Sequence, residues 1–399
     1  MDKDSRPLAG IRVVDLSRVL AGPYCASLLG MLGAEVIKVE DSSGDEARQW
    51  PPNDRELGTP FLAMNLNKRG MVVDLKSEAG QQVVKDLVQK ADVLVENFKT
   101  GTMERFGLDY ETLKEINPRL VFVSVSAFGR KGPRANDLGY EAVLQAYSGP
   151  MSITGTPEGE PVRSGVSFLD MSTGITSALG AVTALFQRNM TGEGAKVDSS
   201  LLQTALGLMS YQVANYMLDG LVPGKLGSAH PMVVPYQAFP TADGHIFIAS
   251  GNQNLFERLC RALGREDIVS DPRFVNNAAR VKHREALLEI LFSEFLSHTT
   301  DDLLASLNQA GVPCTRVNNV EELIQDGHVD ELGALVSAED PVYGELRLVG
   351  LPFFLNEQNT KIKRSAPRLG EHTREILREI GYEEQHIDDL FAQKVVDGH

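Results

Sequence analysis

The chain has 399 residues, 42% of them apolar, enough to bury a large core and, by length, to form two or three domains. Its formal net charge of -15, with no long basic run, argues against a general nucleic-acid binder but leaves room for an anionic ligand held by a few local Arg and Lys side chains. Three cysteines, Cys25, Cys260 and Cys314, stand far apart with no CxxC pair, which points to a reducing compartment and away from a disulfide framework or a zinc site.

The N-terminal decapeptide MDKDSRPLAG is too polar for a signal peptide, and its acids disfavour a mitochondrial transit sequence. No uninterrupted apolar stretch approaches the ~18 residues of a membrane span, so a cytoplasmic protein without a membrane partner is expected. Residues 10–17 (GIRVVDLS) form a short β-branched run, read as a buried strand. Residues 22–33 are small and apolar, suited to a tightly packed helix, and 35–40 (EVIKVE) return as a strand. Another unit begins with 71–75, followed by an amphipathic helix near 78–90 and a strand at 92–96 (DVLVE); 120–126 (LVFVSVS) is a further strand. Strands alternating with helices imply an α/β fold with a parallel sheet covered on both faces, whose ligands gather beyond the carboxyl ends of the strands. The loops there are 18–23 (RVLAGP), 97–105 (NFKTGTMER) and 127–140. Neither GxGxxG nor a Walker A motif follows a strand, so a dinucleotide or P-loop reading lacks its main support.

Further along, 161–174 reads PVRSGVSFLDMSTG: irregular and glycine-broken before Asp170, then spaced for a long, largely buried helix. Asp170 therefore stands where a loop becomes a helix N-terminus, and two readings of it are open. It is an N-cap, the common use of Asp at such a junction, or a carboxylate nucleophile beside N–H groups able to hold developing oxyanions. Residues 199–219 read as one long helix whose Met and aromatic side chains pack a core or an interface. The Gly- and Pro-rich 220–235 is a boundary or a mobile loop. A smaller unit follows, with strands at 236–239 and 245–250 and helices near 254–263, 284–296 and 301–310; short strands near 335–338 and 345–349 and two helices in 371–392 close the chain.

Several stretches together resemble the class III CoA-transferases, the group of formyl-CoA:oxalate and carnitine CoA-transferases. They are LAGIRVVDLSRVLAGPYCASLLGMLGAEVIKVE, VENFKTGTMERFGLDY, GYEAVLQAYSG, SGVSFLDMSTG, GVPCTRVNNVEEL and LGEHTREILREIGY, in the family's order across nearly the whole chain. GSAHPMVVPYQAF is most similar to the branch that uses succinyl-CoA with glutarate-like dicarboxylates. The resemblance implies a Rossmann-like large domain built from both chain ends (residues 1–200 and 326–399) and a smaller α+β domain (229–325) joined through 201–228. It also implies an interlocked homodimer, a CoA thioester as substrate with no permanently bound cofactor, and no metal.

By the same resemblance, Asp170 is the catalytic aspartate, acylated in turn as an anhydride and a CoA thioester. Asn97, Phe98, Met103, Arg105 and Tyr140 fall on the CoA groove. Lys68 and Arg69 are further candidates for phosphate, with Arg105 able to grip one in bidentate fashion. Each of these also has a plain structural reading: a solvated helix charge for Arg105, packing for Phe98 and Tyr140. Arg18, Leu20, Glu141 and His230 are candidates for the acceptor side. Leu20 stands where the formyl-CoA pattern has a glutamine, and 227–231 where it has a glycine loop, which argues against oxalate. Tyr140 stands where the racemase branch has a histidine, so two-base proton exchange lacks a partner. The rivals are an acyl-CoA racemase or isomerase and a non-catalytic CoA-binding subunit of a heteromeric transferase.

Overall fold

The computed structural model describes residues 6–52, 57–357, 360 and 362–398; half of the N-terminal decapeptide, residues 1–5, lies outside them. Two compact units are present. The larger comprises Met1–Pro150, Ser164–Asp219 and His328–His399; the smaller comprises Met151–Arg163 and Gly220–Gly327.

In the larger unit, β1 (Arg12–Asp15), β2 (Glu35–Glu40), β3 (Lys68–Val73), β4 (Val93–Glu96), β5 (Val121–Ser126) and β6 (Ala195–Ser200) form one parallel sheet in the order β3-β2-β1-β4-β5-β6. Val396–Asp397 pairs antiparallel on the far side of β3, so both chain ends build the sheet. β1, β4 and β5 are dominated by valine and other apolar residues because helices cover both faces. Val14, Leu16, Ile37, Val39, Met71 and Leu94 point into one core, with the helices Glu78–Gln89, Thr373–Ile380 and Glu384–Ala392. Val13, Val36, Val93, Val95 and Val123 point into the other, with the first helix, Ala21–Met31, and the long helix, Phe168–Thr191. The chain runs outward from β1 through β2 to β3, then returns to place β4 on the other side of β1. The crevice between the carboxyl ends of β1 and β4 is thus the topological switch point, where open α/β sheets bind ligands.

Two expectations are corrected. Residues 199–219 are not one helix: Ser199 and Ser200 end β6, and helices Leu201–Leu208 and Ser210–Asp219 follow, separated at Met209. The segment 201–219 belongs to the larger unit instead of a linker, and 151–163 joins the smaller one, where Gly155 O accepts from Gly227 N and Gly159 O from Lys225 Nζ. The long helix, among the described residues, is also long and apolar enough to cross a membrane, which a search for uninterrupted apolar runs does not register. Its residues Leu169, Thr173, Ser177, Ala181, Leu185 and Arg188 are buried, as in a core helix.

The smaller unit carries an antiparallel sheet of β7 (Tyr236–Pro240), β8 (His245–Ala249) and β9 (Cys314–Arg316) packed on helices that include Gln253–Ala262, Arg284–Leu296 and Thr300–Gln309.

Candidate active site

At the switch point, the turn after β1 is gripped from both sides. Arg18 N donates to Asn97 Oδ1 (2.8 Å) and Asn97 Nδ2 donates back to Arg18 O (2.7 Å), tying the loop after β1 to the loop after β4. Val19 then adopts φ +70°, a left-handed conformation that β-branched residues rarely take. Its N–H points at the Asp45 carboxylate, 3.2 and 3.1 Å from the two oxygens. The first helix starts immediately after, at Ala21, hard against the turn: a Cβ on Gly22 would lie 2.3 Å from that of Ser17.

The long helix reaches the same place. Ser167 occupies its N-cap position and Asp170 is its third residue, so Asp170 is inside the first turn and is not the N-cap. There the positive end of a 24-residue helix dipole favours a carboxylate and any oxyanion formed beside it. The two helices touch backbone to backbone. A Cβ on Gly174 would sit 2.9 Å from both Ala21 O and a ring carbon of Tyr24. That contact brings the start of the first helix up to Asp170.

A cleft of about 510 Å³ results, walled by Arg18, Val19, Leu20 and Ala21, by Asn97, Phe98 and Lys99, by residues 125–127 and 138–141, and by Glu46, Leu201 and Asp170. Tyr140, 65% exposed, donates from its hydroxyl to Glu46 Oε1 at 3.3 Å; the Glu46 charge pushes the phenol pKa up and keeps it a donor. Glu141 is buried, accepting from Gln145 Nε2 at 2.6 Å and from Leu169 N at 3.4 Å, so it braces the turn before Asp170 and is not a solvated charge. A larger cavity of about 970 Å³ lies beyond the ends of β1 to β3, shares Arg18 and Phe98 with the cleft, and includes residues 39–44, 74–76 and Lys394.

Two other ionisable groups near the switch point are closed off from solvent. Cys25 is fully buried, and burial together with the Asp15 charge pushes its thiol far above the ordinary range. Burial alone would raise Asp15, but Lys68 and Lys38 outweigh it and hold that carboxyl below its usual value, with no solvent access. Among the described residues, no group of three or more His, Cys, Asp and Glu side chains is placed to hold a metal ion.

The structure gathers Arg18, Leu20, Asn97, Phe98, Tyr140, Glu141 and Asp170 around one cleft. Five other candidates are elsewhere. Met103 is 5% exposed and packs into the core beneath the sheet. Arg105 stands on the surface with a 3.1 Å bond to Thr102 Oγ1, outside the lining of both cavities. Lys68 is fully buried, its ammonium bonded to Asp15 Oδ2 (2.8 Å), Pro23 O (2.8 Å) and Asn65 Oδ1 (2.9 Å). Arg69 is held by Glu35, Glu375 and Glu379. The charges of this basic pair on β3 are taken up by carboxylates of the protein itself. His230 belongs to the smaller unit, where its ring accepts from Met232 N (3.1 Å) and packs against Tyr236.

Sequence reasoning missed Val19, Glu46 and Lys99. Nothing in a sequence marks a valine for positive φ. SGDE at 43–46 does carry a turn signature, with Asp45 capping the short helix Glu46–Gln49.

A family model described as CoA-transferase family III matches residues 8–373. The chain is 39% identical over 382 residues to a succinate–glutarate CoA-transferase of Agrobacterium fabrum, covering 94% of this chain and 96% of that one. It is 36% identical over 397 residues to a succinyl-CoA–D-citramalate CoA-transferase of Chloroflexus aurantiacus, with 98% of each covered. Among solved structures, a CAIB/BAIF family protein from Brucella suis is similar at a TM-score of 0.84 and 37% identity, covering 94% of this chain and 99% of that one.

Proposed function

The chain belongs to CoA-transferase family III, and from that premise we propose that it moves CoA from succinyl-CoA to a small dicarboxylic acid, with Asp170 carrying CoA covalently between the two half-reactions. The observation that carries this reading is the position of Asp170: inside the first turn of a long helix, in a cleft at the switch point, next to a second cavity. The dicarboxylates in the names of the relatives, glutarate and D-citramalate, support the acceptor class.

The Asp170 carboxylate attacks the thioester carbonyl of the donor and expels CoA thiolate, leaving a mixed anhydride of Asp170 and succinate. The thiolate attacks the Asp170 carbonyl of that anhydride, releasing succinate and forming an aspartyl-CoA thioester. The acceptor carboxylate repeats the sequence in reverse and frees Asp170. No electrons or external protons are exchanged. Each addition places negative charge on an oxygen beside the N-termini of the long and first helices, whose dipoles favour it. Phe98 and Lys99 face the arm of CoA, and the larger cavity takes its nucleotide end. Tyr140 donates toward the thioester from the mouth, and Arg18 meets the distal carboxylate of the acceptor.

The protein works as a homodimer. Ile175, Leu179, Phe186 and Met190 expose 45 to 70% of their surface along one face of the long helix, and the helix Ser210–Asp219 has no buried residue. Such contiguous apolar surface marks an interface. Buried free thiols at Cys25 and Cys260 accord with a cytoplasmic setting.

Asp170→Ala is expected to abolish transfer while CoA affinity stays within about threefold, because the nucleophile goes and the groove remains. Peptide mapping of wild-type enzyme quenched with succinyl-CoA and treated with hydroxylamine should place the label on Asp170. Label on another residue, or full activity in Asp170→Ala, overturns the assignment.

A further inference from the structure

We propose that the buried Lys38–Asp45 pair is a positioning device for the transfer reaction: it holds Val19 in its left-handed conformation and so fixes the wall, residues 18–21, that faces Asp170. The inference rests on the reading of Asp170 as the acylated residue.

Three observations converge. Val19 sits at φ +70°, which crowds the Cβ of an L-residue against the following carbonyl, so something outside the turn must hold it there. The holder is Asp45, whose carboxylate takes the Val19 N–H at 3.1 to 3.2 Å together with Ala47 N at 3.0 Å and Lys38 Nζ at 3.0 Å. Lys38 in turn donates to Ser17 O at 2.8 Å. One ion pair thus grips the turn at Ser17 and at Val19, either side of Arg18, while Asn97 grips Arg18 itself from β4.

Neither member of the pair has any exposed side-chain surface, and neither lines the cleft. They do not touch substrate, and for stability alone a well-packed apolar pair serves as well as a buried ion pair. What an apolar pair cannot supply is an acceptor for the Val19 N–H. If Val19 relaxes to negative φ, the peptide between Val19 and Leu20 turns. The backbone of Leu20 and Ala21, which precedes the first intrahelical bond at Tyr24 N and lines the cleft with Asp170, then loses its placement. The larger cavity lies mostly on other loops, so the loss falls on the chemical step more than on CoA binding.

The test compares two double variants that both remove the buried charges. Lys38→Met with Asp45→Asn keeps an oxygen for the Val19 N–H, whereas Lys38→Met with Asp45→Leu does not. The asparagine variant should keep at least about tenfold more kcat than the leucine variant, with similar melting temperatures and CoA dissociation constants. Adding Val19→Gly to the leucine variant should recover about tenfold in kcat, since glycine adopts positive φ without a holder. Should the leucine variant fail to fold, Asp45→Ser, too short to reach the amide, takes its place. Equal kcat in the two double variants, or no recovery with glycine, overturns the proposal. Absence of an Asp170 adduct in fully active wild-type enzyme would instead sink the nucleophile assignment and leave this comparison unaffected.

Discussion

Lys68 and Asp15 lie 53 positions apart in sequence and 2.8 Å apart in space, with no exposed surface on either side chain. Their energetics follow from burial. Removing one partner strands a charge in a medium that cannot solvate it, whereas replacing both leaves an apolar contact. Lys68→Met alone is therefore expected to cost about 3–5 kcal/mol, and Lys68→Met combined with Asp15→Leu much less, within about 2 kcal/mol of wild type. Urea unfolding at neutral pH measures both; equal losses in the single and double variants would show that the pair is not a coupled unit. The same reasoning explains which residue assignments were legible. Asp170 could be located because a glycine-broken segment gives way to helical periodicity beside it. Lys68, Arg69 and Met103 could not be placed correctly, because a lysine consumed by a buried carboxylate and a lysine awaiting a phosphate have the same letter. Only partners distant in sequence distinguish them.

At the scale of elements, the approach of the first and long helices builds the site, and Gly174 permits it. An added methyl would meet Ala21 O at 2.9 Å, and a backbone atom cannot swing aside as a flexible side chain can. Gly174→Ala is expected to destabilise by about 1–3 kcal/mol and to lower kcat, since the two helix N-termini must separate. Thermal unfolding and steady-state kinetics together check it; unchanged kcat would mean that helix spacing is not critical to the chemistry. The strands β1, β2, β4 and β5 were readable from their β-branched runs. β6 was not: AKVDSS alternates half-buried with exposed positions at a sheet edge and has the polarity of a loop. The 199–219 segment misled in the opposite direction, because apolar spacing continues through Met209 although the backbone does not.

For the whole molecule, the exposed apolar stripe on the long helix is the feature a lone chain leaves unresolved. If the proposed dimer is built on this stripe, Phe186→Glu, at a position 67% exposed, should leave the monomer fold intact and shift the proposed dimer toward monomer in light scattering. A variant that remains fully dimeric would move the interface elsewhere. The sequence by itself determined the α/β class, the strand-end location of the loops and the CoA-transferase resemblance, and it supplied Asp170 as the proposed nucleophile. The first three depend on local periodicity or on contiguous motifs, which a linear string preserves; the carboxylate is a proposal that the Asp170 adduct tests. Tertiary structure alone decided that Lys68 and Arg69 are structural, that Asn97 clasps Arg18, that Glu141 is buried, and that Lys38 and Asp45 hold a strained valine. Each of those depends on which distant groups share a low-dielectric interior, where a charge or an N–H must find its partner through space and not along the chain.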